Sequence, residues 1–432
     1  MRPLRNTGFR LLVAGQLVSN LGDAVYSVAL PWYVLSHHGG PLLLGTVLAA
    51  YGVPRTALLL VGGHASDRWQ PWTVMMAANG VRAVAVAVLA VVAALGPGHE
   101  LVLLPIAVVL GAGEGIFLPG SFAIVPALLP TDELQQGNAL TSGTTQLSTL
   151  AGPVLAGIVI AVAGAPTGFA IDALSFLISM TTLAGIRTQA KRPLGKPSNE
   201  NDPATEVLAS ETETSLQQAP AGKLTVRGLI ASEPILVLML ATYAVINLGS
   251  SGMARVALPA LTRGTFHTGA GGYGVLLSAM GAGLLLGTIS AATVPHVRRP
   301  LVISSLALLI AVPFIAALPY LGGPIQAGVA LLVSGALEAL GNVLIVTAYQ
   351  QWAPPELMGR VTGLLMLSSV GILPISVLLA GLAVQIVGPA TYFPLAASSV
   401  TVAVAVQLTS RTWRNFRGTT VRQPAAAALS QQ

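Results

Sequence analysis

Residues Gly15–Pro31 read GQLVSNLGDAVYSVALP. The stretch is apolar enough to sit in a membrane, yet it carries an acid, Asp23, near its middle. At helical spacing Gln16, Asn20, Asp23 and Ser27 fall at i, i+4, i+7 and i+11, one polar stripe on one face. The pattern also recurs. Asn20-Leu21-Gly22, six residues, then Ala29-Leu30-Pro31 returns as Asn247-Leu248-Gly249, seven residues, then Ala257-Leu258-Pro259. A polar stripe on a duplicated membrane helix suggests a solute path.

The remainder of the chain has the composition such a path requires. Of 432 residues, 53% are hydrophobic and 8% charged, whereas soluble proteins carry about 25% charged residues. A mean hydropathy of +0.76, with repeated apolar runs, indicates an all-α polytopic membrane protein. Apolar windows bounded by Gly, Pro and charge predict twelve helices. Six span roughly 10–35, 41–63, 72–95, 101–128, 138–163 and 166–187; six more span roughly 229–262, 271–294, 300–320, 324–350, 359–386 and 389–410. This divides the chain into an N-terminal six-helix bundle (1–187), a polar linker (188–227), a C-terminal six-helix bundle (228–410) and a tail (411–432). The linker has no apolar periodicity and is expected to be a mostly disordered cytoplasmic segment.

Seventeen of the 21 Lys and Arg residues fall in the two ends of the chain or in the loops on the same side; Arg263 lies opposite, and Arg55, Arg82 and Arg255 lie within helices. By the positive-inside rule both termini are cytoplasmic, in an inner membrane. The pI near 9.9 does not signal a nucleic-acid partner, because the basic residues are dispersed over helix ends. Arg411, Arg414 and Arg417 are placed to meet anionic headgroups of the lipid bilayer. The basic start, Arg2, Arg5 and Arg10, resembles a signal peptide, but the run that follows is too long and contains Asp23, so a retained first helix is expected. There is no cysteine, which excludes disulfides and thiolate metal sites.

The halves match beyond the opening motif. Gly45 and Gly52 recur as Gly274 and Gly281; PTDELQQGNAL at 130–140 followed by Gly164 is echoed by PPELMGRVTGL at 354–364 followed by Gly388. Parallel halves with a solute site between them are a transporter architecture.

After the second expected helix, Gly62-Gly63-His64-Ala65-Ser66-Asp67-Arg68 reads as a tight loop. Here the chain resembles the major facilitator superfamily, whose loop motif G-x-x-x-D-R is matched by Gly63, Asp67 and Arg68, although the trailing basic pair is replaced by Trp69-Gln70-Pro71-Trp72. In the fifth helix Gly143, Gly152, Pro153, Ala156 and Gly157 form G-x8-G-P-x-x-A-G, similar to the superfamily's antiporter motif with Ala156 in place of one Gly. FRLLVAGQLVSNLGD, DELQQGNAL, IDALSFLIS and PPELMGRVTGLL resemble the macrolide-efflux and enterobactin-exporter-like branch. The resemblance implies two six-helix bundles and a monomer that exports an apolar or amphipathic small molecule in exchange for protons. The proton gradient would be its energy source, with no cofactor or metal. The cytoplasmic side would be held shut by Gly63, Asp67, Arg68, Gly359 and Arg360. One departure is the fourth helix, LGAGEGIFLPG, which carries Glu114 where many proton-driven members carry an Arg.

Four acids lie within helices. Asp23, Glu114 and Glu338 are expected near mid-membrane and Asp172 nearer the outer face, counting ~1.5 Å per residue. A charge at the bilayer centre costs about 2.5–3.5 kcal/mol even on insertion scales, so each acid needs a partner, water or a proton. The candidate substrate and proton pathway comprises Gln16, Asn20, Asp23, Tyr26, Arg55, Glu114, Asn247, Arg255 and Glu338. Arg255, the repeat counterpart of Ser27, is expected to face Asp23 across a cavity, with a structural ion pair to an intramembrane Arg as the alternative for each acid. Trp32 and Tyr33 are expected as interfacial anchors.

Rival classes fare worse. Gly249-Ser250-Ser251-Gly252 is similar to a rhomboid serine protease motif, but that chemistry needs a general base, and all six His lie in loops or at helix ends. An ATP-driven pump lacks its G-x-x-x-x-G-K-[ST] loop. A proton-coupled importer and a non-transporting sensor of the same fold remain as alternatives.

Overall fold

The computed structural model describes residues 2–37, 39–96, 102–187, 233–293, 299–353 and 358–416, and among them there is no β-strand. The linker 188–227 and the tail beyond 416 lie outside the described residues. Helices α1 (Thr7–Ser36), α2 (Gly40–Arg68), α3 (Pro71–Ala94) and α4 (Leu103–Leu128) are followed by one long helix, Leu134–Arg187. That helix breaks at Gly164, where φ 78° and ψ 168° are open only to glycine, and we number its arms α5 (134–163) and α6 (165–187). The second half comprises α7 (Pro234–Phe266), α8 (Gly269–Thr293), α9 (Pro300–Ala317), α10 (Pro324–Trp352), α11 (Val361–Val387) and α12 (Pro389–Thr409). Gly388, the repeat mate of Gly164, makes the same single-residue break between α11 and α12, at φ 82° and ψ 161°.

Ten described helices are long and apolar enough to cross a membrane, one of them being the 53-residue stretch that holds both α5 and α6. The other span is α1, whose Gln16, Asn20 and Asp23 keep it from standing out by composition. The fold is thus the expected bundle of twelve membrane helices. Proline opens α3, α7, α9, α10 and α12 within their first two positions, where its missing N–H goes unmissed.

Each half packs on itself: α1 lies along the α5–α6 helix and α2 along α4, while in the second half α8 lies along α10 and α9 along α10 and α12. The halves touch mainly along two seams, α2 on α11 and α5 on α8. Repeat-related glycines build both. A Cβ on Gly381 of α11 would stand 2.6 Å from Pro41 O and 3.1 Å from Gly45 Cα of α2. A Cβ on Gly157 of α5 would stand 3.0 Å from Gly271 Cα and 3.1 Å from Ala270 O of α8. Gly157 and Gly381 are 224 positions apart, as are Gly164 and Gly388, so one pseudo-two-fold axis relates the seams. Both lie at the end of the bundle remote from the chain termini. Farther toward the terminal end, a Cβ on Gly143 of α5 or Gly363 of α11 would meet nothing within 4 Å.

The unequal spacing inside the duplicated motif has a physical form. Asn20 and Asn247 are 227 apart, Pro31 and Pro259 are 228 apart. The extra residue falls where α7 widens into a π-helical turn, Met253–Ala257, while α1 stays α-helical throughout. A π-turn absorbs a single inserted residue without shifting the register on either side. Arg255 sits in this turn.

Two expectations change. Gly62–Arg68 is not a loop: α2 continues to Arg68, because Gly62 brings it against α4, with a Cβ position 2.8 Å from Gly115 O and Ile116 Cα. The turn is only Trp69-Gln70. Tyr33 is not an interfacial anchor but is 1% exposed, packed edge-on to Phe169 at 6.0 Å.

Because the seams depend on backbone approach, Gly157→Leu or Gly381→Leu is expected to part the halves at the remote end, at an overpacking cost of about 1–3 kcal/mol. Electron–electron distance measurements between spin labels on the α1–α2 and α7–α8 turns check this; unchanged distances in both variants would refute it.

Candidate functional site

The stripe on α1 faces the inside of the first bundle, and its acid is paired within that bundle. Arg82 of α3 places Nη2 2.6 Å from Asp23 Oδ1. The Arg82 side chain is 5% exposed and that of Asp23 41%, so the cation is walled in while the carboxylate opens on the cavity. The guanidinium lies over Phe176 at 4.1 Å and Phe117 at 5.6 Å, faces that favour a cation. One turn away, Asn79 Nδ2 donates to Ser179 Oγ at 3.1 Å and ties α3 to α6.

A second pair stands beside the first. Arg55 Nε of α2 lies 3.1 Å from Glu114 Oε1 of α4, an ion pair by distance in which the N–H is not aligned on the oxygen. Asp172 of α6 is 1% exposed and takes a hydrogen bond from Ser175 Oγ to its main-chain oxygen at 2.8 Å. It forms no ion pair among the described residues, contrary to the alternative expected for it. A Cβ on Gly22 would reach to 2.7 Å from Asp172 Oδ1, which puts this acid against the middle of α1. Asp23, Glu114 and Asp172 lie close enough to feel one another's charge, and Arg255 of the second half lies within electrostatic range of Arg55 and Glu114 without forming an ion pair with Glu114 among the described residues.

Some expected residues therefore come together and some do not. Asp23, Arg55 and Glu114 form one network with Arg82 and Asp172. Arg255 is exposed on the cavity, but Asp23 is paired with Arg82 instead, which lies in its own bundle and reaches it without crossing the gap. Tyr26 packs against Phe169 at 5.9 Å between ring centres. Asn20 donates to Thr144 Oγ1 at 3.3 Å on α5. Gln16 is half-buried on the same face of α1. Asn247 and Glu338 lie apart, in a separate cavity of the second half lined also by Tyr243, Asn342 and Tyr349. Ser250 of the protease-like motif merely donates back to Ile246 O at 2.9 Å.

The antiporter-type stretch is distributed along the seam. Gly152 abuts Ala24 of α1, Gly157 abuts α8, and the main-chain oxygen of Pro153 lies against Gly274. Ala156 is fully buried. Of the residues expected at the gate, Gly63 is open on its Cβ side and Arg68 lies 6.0 Å from the Trp69 ring. The side chains of Asp67, Gly359 and Arg360 lie outside those described.

Arg82 and Asp172, which lie beside the expected pathway residues, stand in the sequence as charges within helices but are not counted in the expected pathway. The available signal was a need: a carboxylate in an apolar helix requires a cation, and Arg82 follows Asn79 by one turn on an otherwise apolar helix.

Two related helix bundles, one with charged pairs in its interior, are an architecture found among membrane transporters. Residues 12–376 match the family model of the Major Facilitator Superfamily, and the chain belongs to that family. It is a multi-pass membrane transporter. Among curated relatives it is 26% identical over 364 residues to Enterobactin exporter EntS of Salmonella typhi, covering 82% of this chain and 80% of the relative. It is 25% identical over 363 residues to Enterobactin exporter EntS of Shigella boydii serotype 4, with the same coverages. Its fold resembles a bacterial homologue of the iron transporter ferroportin in an inward-facing state, at TM-score 0.67, 15% identity, and 92% and 97% coverage of the two chains. It also resembles a peptide transporter POT in complex with sulfate, at TM-score 0.64, 16% identity, and 96% coverage of both.

Removing Arg82 leaves Asp23 without its counter-charge, and because that carboxylate is 41% exposed the cost falls below the ~3–5 kcal/mol of a fully buried pair. Arg82→Met is therefore expected to lower the unfolding temperature in detergent, and Asp23→Asn added to it to restore most of the loss. Equal unfolding temperatures for Arg82→Met and the unaltered protein would exclude the pair as a stabilising contact.

Proposed function

We propose that this transporter exports an apolar or amphipathic small molecule in exchange for protons, from a cytoplasm-facing cavity in the inner membrane. The observation that carries the reading is the half-open Asp23–Arg82 pair. Its carboxylate is reachable from the cavity, and its cation is fixed in the wall. Protonation of Asp23 would release Arg82 to the neighbouring Asp172, one turn of α6 away from Ser175, and so change which helices are held together. Proton binding would thus be linked to the packing of α1 on α3 and α6, and through Gly152 to the α5–α8 seam.

Direction is supported by three features. The relatives named above are exporters by name. The seam residues of α5 match an antiporter-type pattern. With 17 of 21 basic residues on the terminal side, the termini are assigned to the cytoplasm and the seams to the outer side, so the open positions at Gly143 and Gly363 would face the cytoplasm, from which cargo would be taken. Arg255, exposed opposite Arg55 and Glu114, is placed to compensate charge as the halves rock. Gly63, Asp67, Arg68, Gly359 and Arg360 are assigned to the inner gate. A monomer suffices for the cycle, since both bundles belong to one chain.

In proteoliposomes, addition of a transported compound is expected to drive proton movement in the opposite direction. Asp23→Asn should abolish that coupling and Arg255→Ala should impair it, while both remain folded and membrane-inserted. A pH-sensitive dye trapped in the vesicles reads the result. Full proton-coupled export by Asp23→Asn would overturn the assignment.

A further inference from the structure

The two halves differ in a way that singles out one side chain. Gly111 and Gly335 occupy matching places on α4 and α10, each against a main-chain oxygen of the helix beside it, Tyr51 O on α2 and Met280 O on α8. The first two are 224 positions apart and the second two 229, the offsets that relate the seams. By the same offsets Glu338 is the mate of Glu114, and Leu284 is the mate of Arg55. The other charges of the first half have no charged mates: Asp23 corresponds to Ser250, Arg82 to Ala311 and Asp172 to Ala396. The acid of α10 has thus been kept where its cation is replaced by leucine. Among the described residues Glu338 forms no ion pair.

Glu338 borders a cavity of about 380 Å³ between α7, α9, α10 and α11. That volume falls at the lower end of the range for small-molecule sites, about 300–1,000 Å³. Its polar lining consists of Tyr243, Asn247, Glu338, Asn342, Tyr349 and two hydroxyl residues of α11, and no described lining residue is basic. The polar side chains are held in place: Tyr243 Oη donates to Asn342 Oδ1, and Asn247 Nδ2 donates to Tyr243 O at 2.9 Å. The remaining wall is apolar, from Ile246, Leu308, Ile345 and Leu365 among others. A carboxylate at this depth needs a partner, water or a proton; a ligand cation supplies the partner, and two tyrosines with an apolar wall suit a weakly hydrated organic cation better than a metal ion.

We infer that the cavity around Glu338 is a binding subsite for an organic cation, the protonated amine or quaternary onium group of an amphipathic cargo. This rests on the export reading only in that the ligand is cargo. Binding itself requires neither a gradient nor a direction. The division of labour follows from the pseudo-symmetry, with the first half pairing Asp23 and Glu114 to arginines and the second leaving the mate of Glu114 for the ligand.

Equilibrium dialysis of the purified full chain in detergent, with radiolabelled tetraphenylphosphonium as the cation and triphenylphosphine oxide as a neutral probe of similar shape, tests this. The expected result is saturable cation binding that Glu338→Gln weakens tenfold or more and Glu338→Asp weakens less, with the neutral probe changed less than twofold by either. Cation binding unaltered in Glu338→Gln, equal loss of both probes, displacement by Mg2+ at equimolar concentration, or no cation binding by the unaltered protein would each overturn the subsite. Failure of proton coupling in vesicles with this binding pattern intact would refute the antiport reading alone.

Discussion

An arginine and an aspartate 2.6 Å apart in the middle of a membrane protein set the terms for the helices around them. Neither charge is tolerable there alone, so α1 and α3 must present Asp23 and Arg82 to one another. Phe176 of α6 and Phe117 of α4 then close over the guanidinium. Four helices of the first bundle are therefore positioned by one contact. The mate positions in the second bundle, Ser250 on α7 and Ala311 on α9, carry no charge, and there α7 is tied by neutral contacts to α11 instead. Ser376 Oγ donates to Leu248 O at 2.7 Å and accepts from Gly252 N at 3.0 Å. One fold is thus stabilised in two ways, with ionic contacts at the heart of one half and hydroxyl-to-backbone contacts in the other.

Much of this was legible in the chain. Apolar windows bounded by proline and glycine locate the helices closely, because backbone groups in lipid must be satisfied within a helix. The duplicated motif locates the two bundles. Local sequence misleads where a neighbour decides. Gly62-Gly63 reads as a turn, but a glycine packed on α4 supports helix as readily, and α2 runs on to Arg68. Tyr33 reads as an anchor from its place near a helix end, yet Phe169 covers it. An ion pair of Asp23 with Arg55, Arg82 or Arg255 is an alternative expected from sequence, and Arg82 forms it; which of the three does so depends on the rotation of α3 relative to α1, which periodicity along either helix does not contain. The seven-for-six spacing was visible as a discrepancy; only the backbone reveals it as a π-turn carrying Arg255.

The small residues of the seams show how the two halves can be both closely fitted and separable. Glycine against backbone contributes contact area with no side chain to unlock, so parting the helices breaks dispersion contacts and few directional bonds. Polar networks inside each bundle are directional and hold its shape. Strong contacts within the halves and smooth contacts between them are the mechanical requirement for rigid-body rocking.

The breaks at Gly164 and Gly388 give that motion a transmission. With a single residue as the corner, the seam helices α5 and α11 have no slack between them and the helices that follow, α6 and α12. In such a motion a tilt of α5 against α8 would be conveyed like the stroke of a crank to α6, the helix that bears Asp172 and Phe176. The far face of the protein and the charged centre are therefore geared together by the shortest linkage a polypeptide can make.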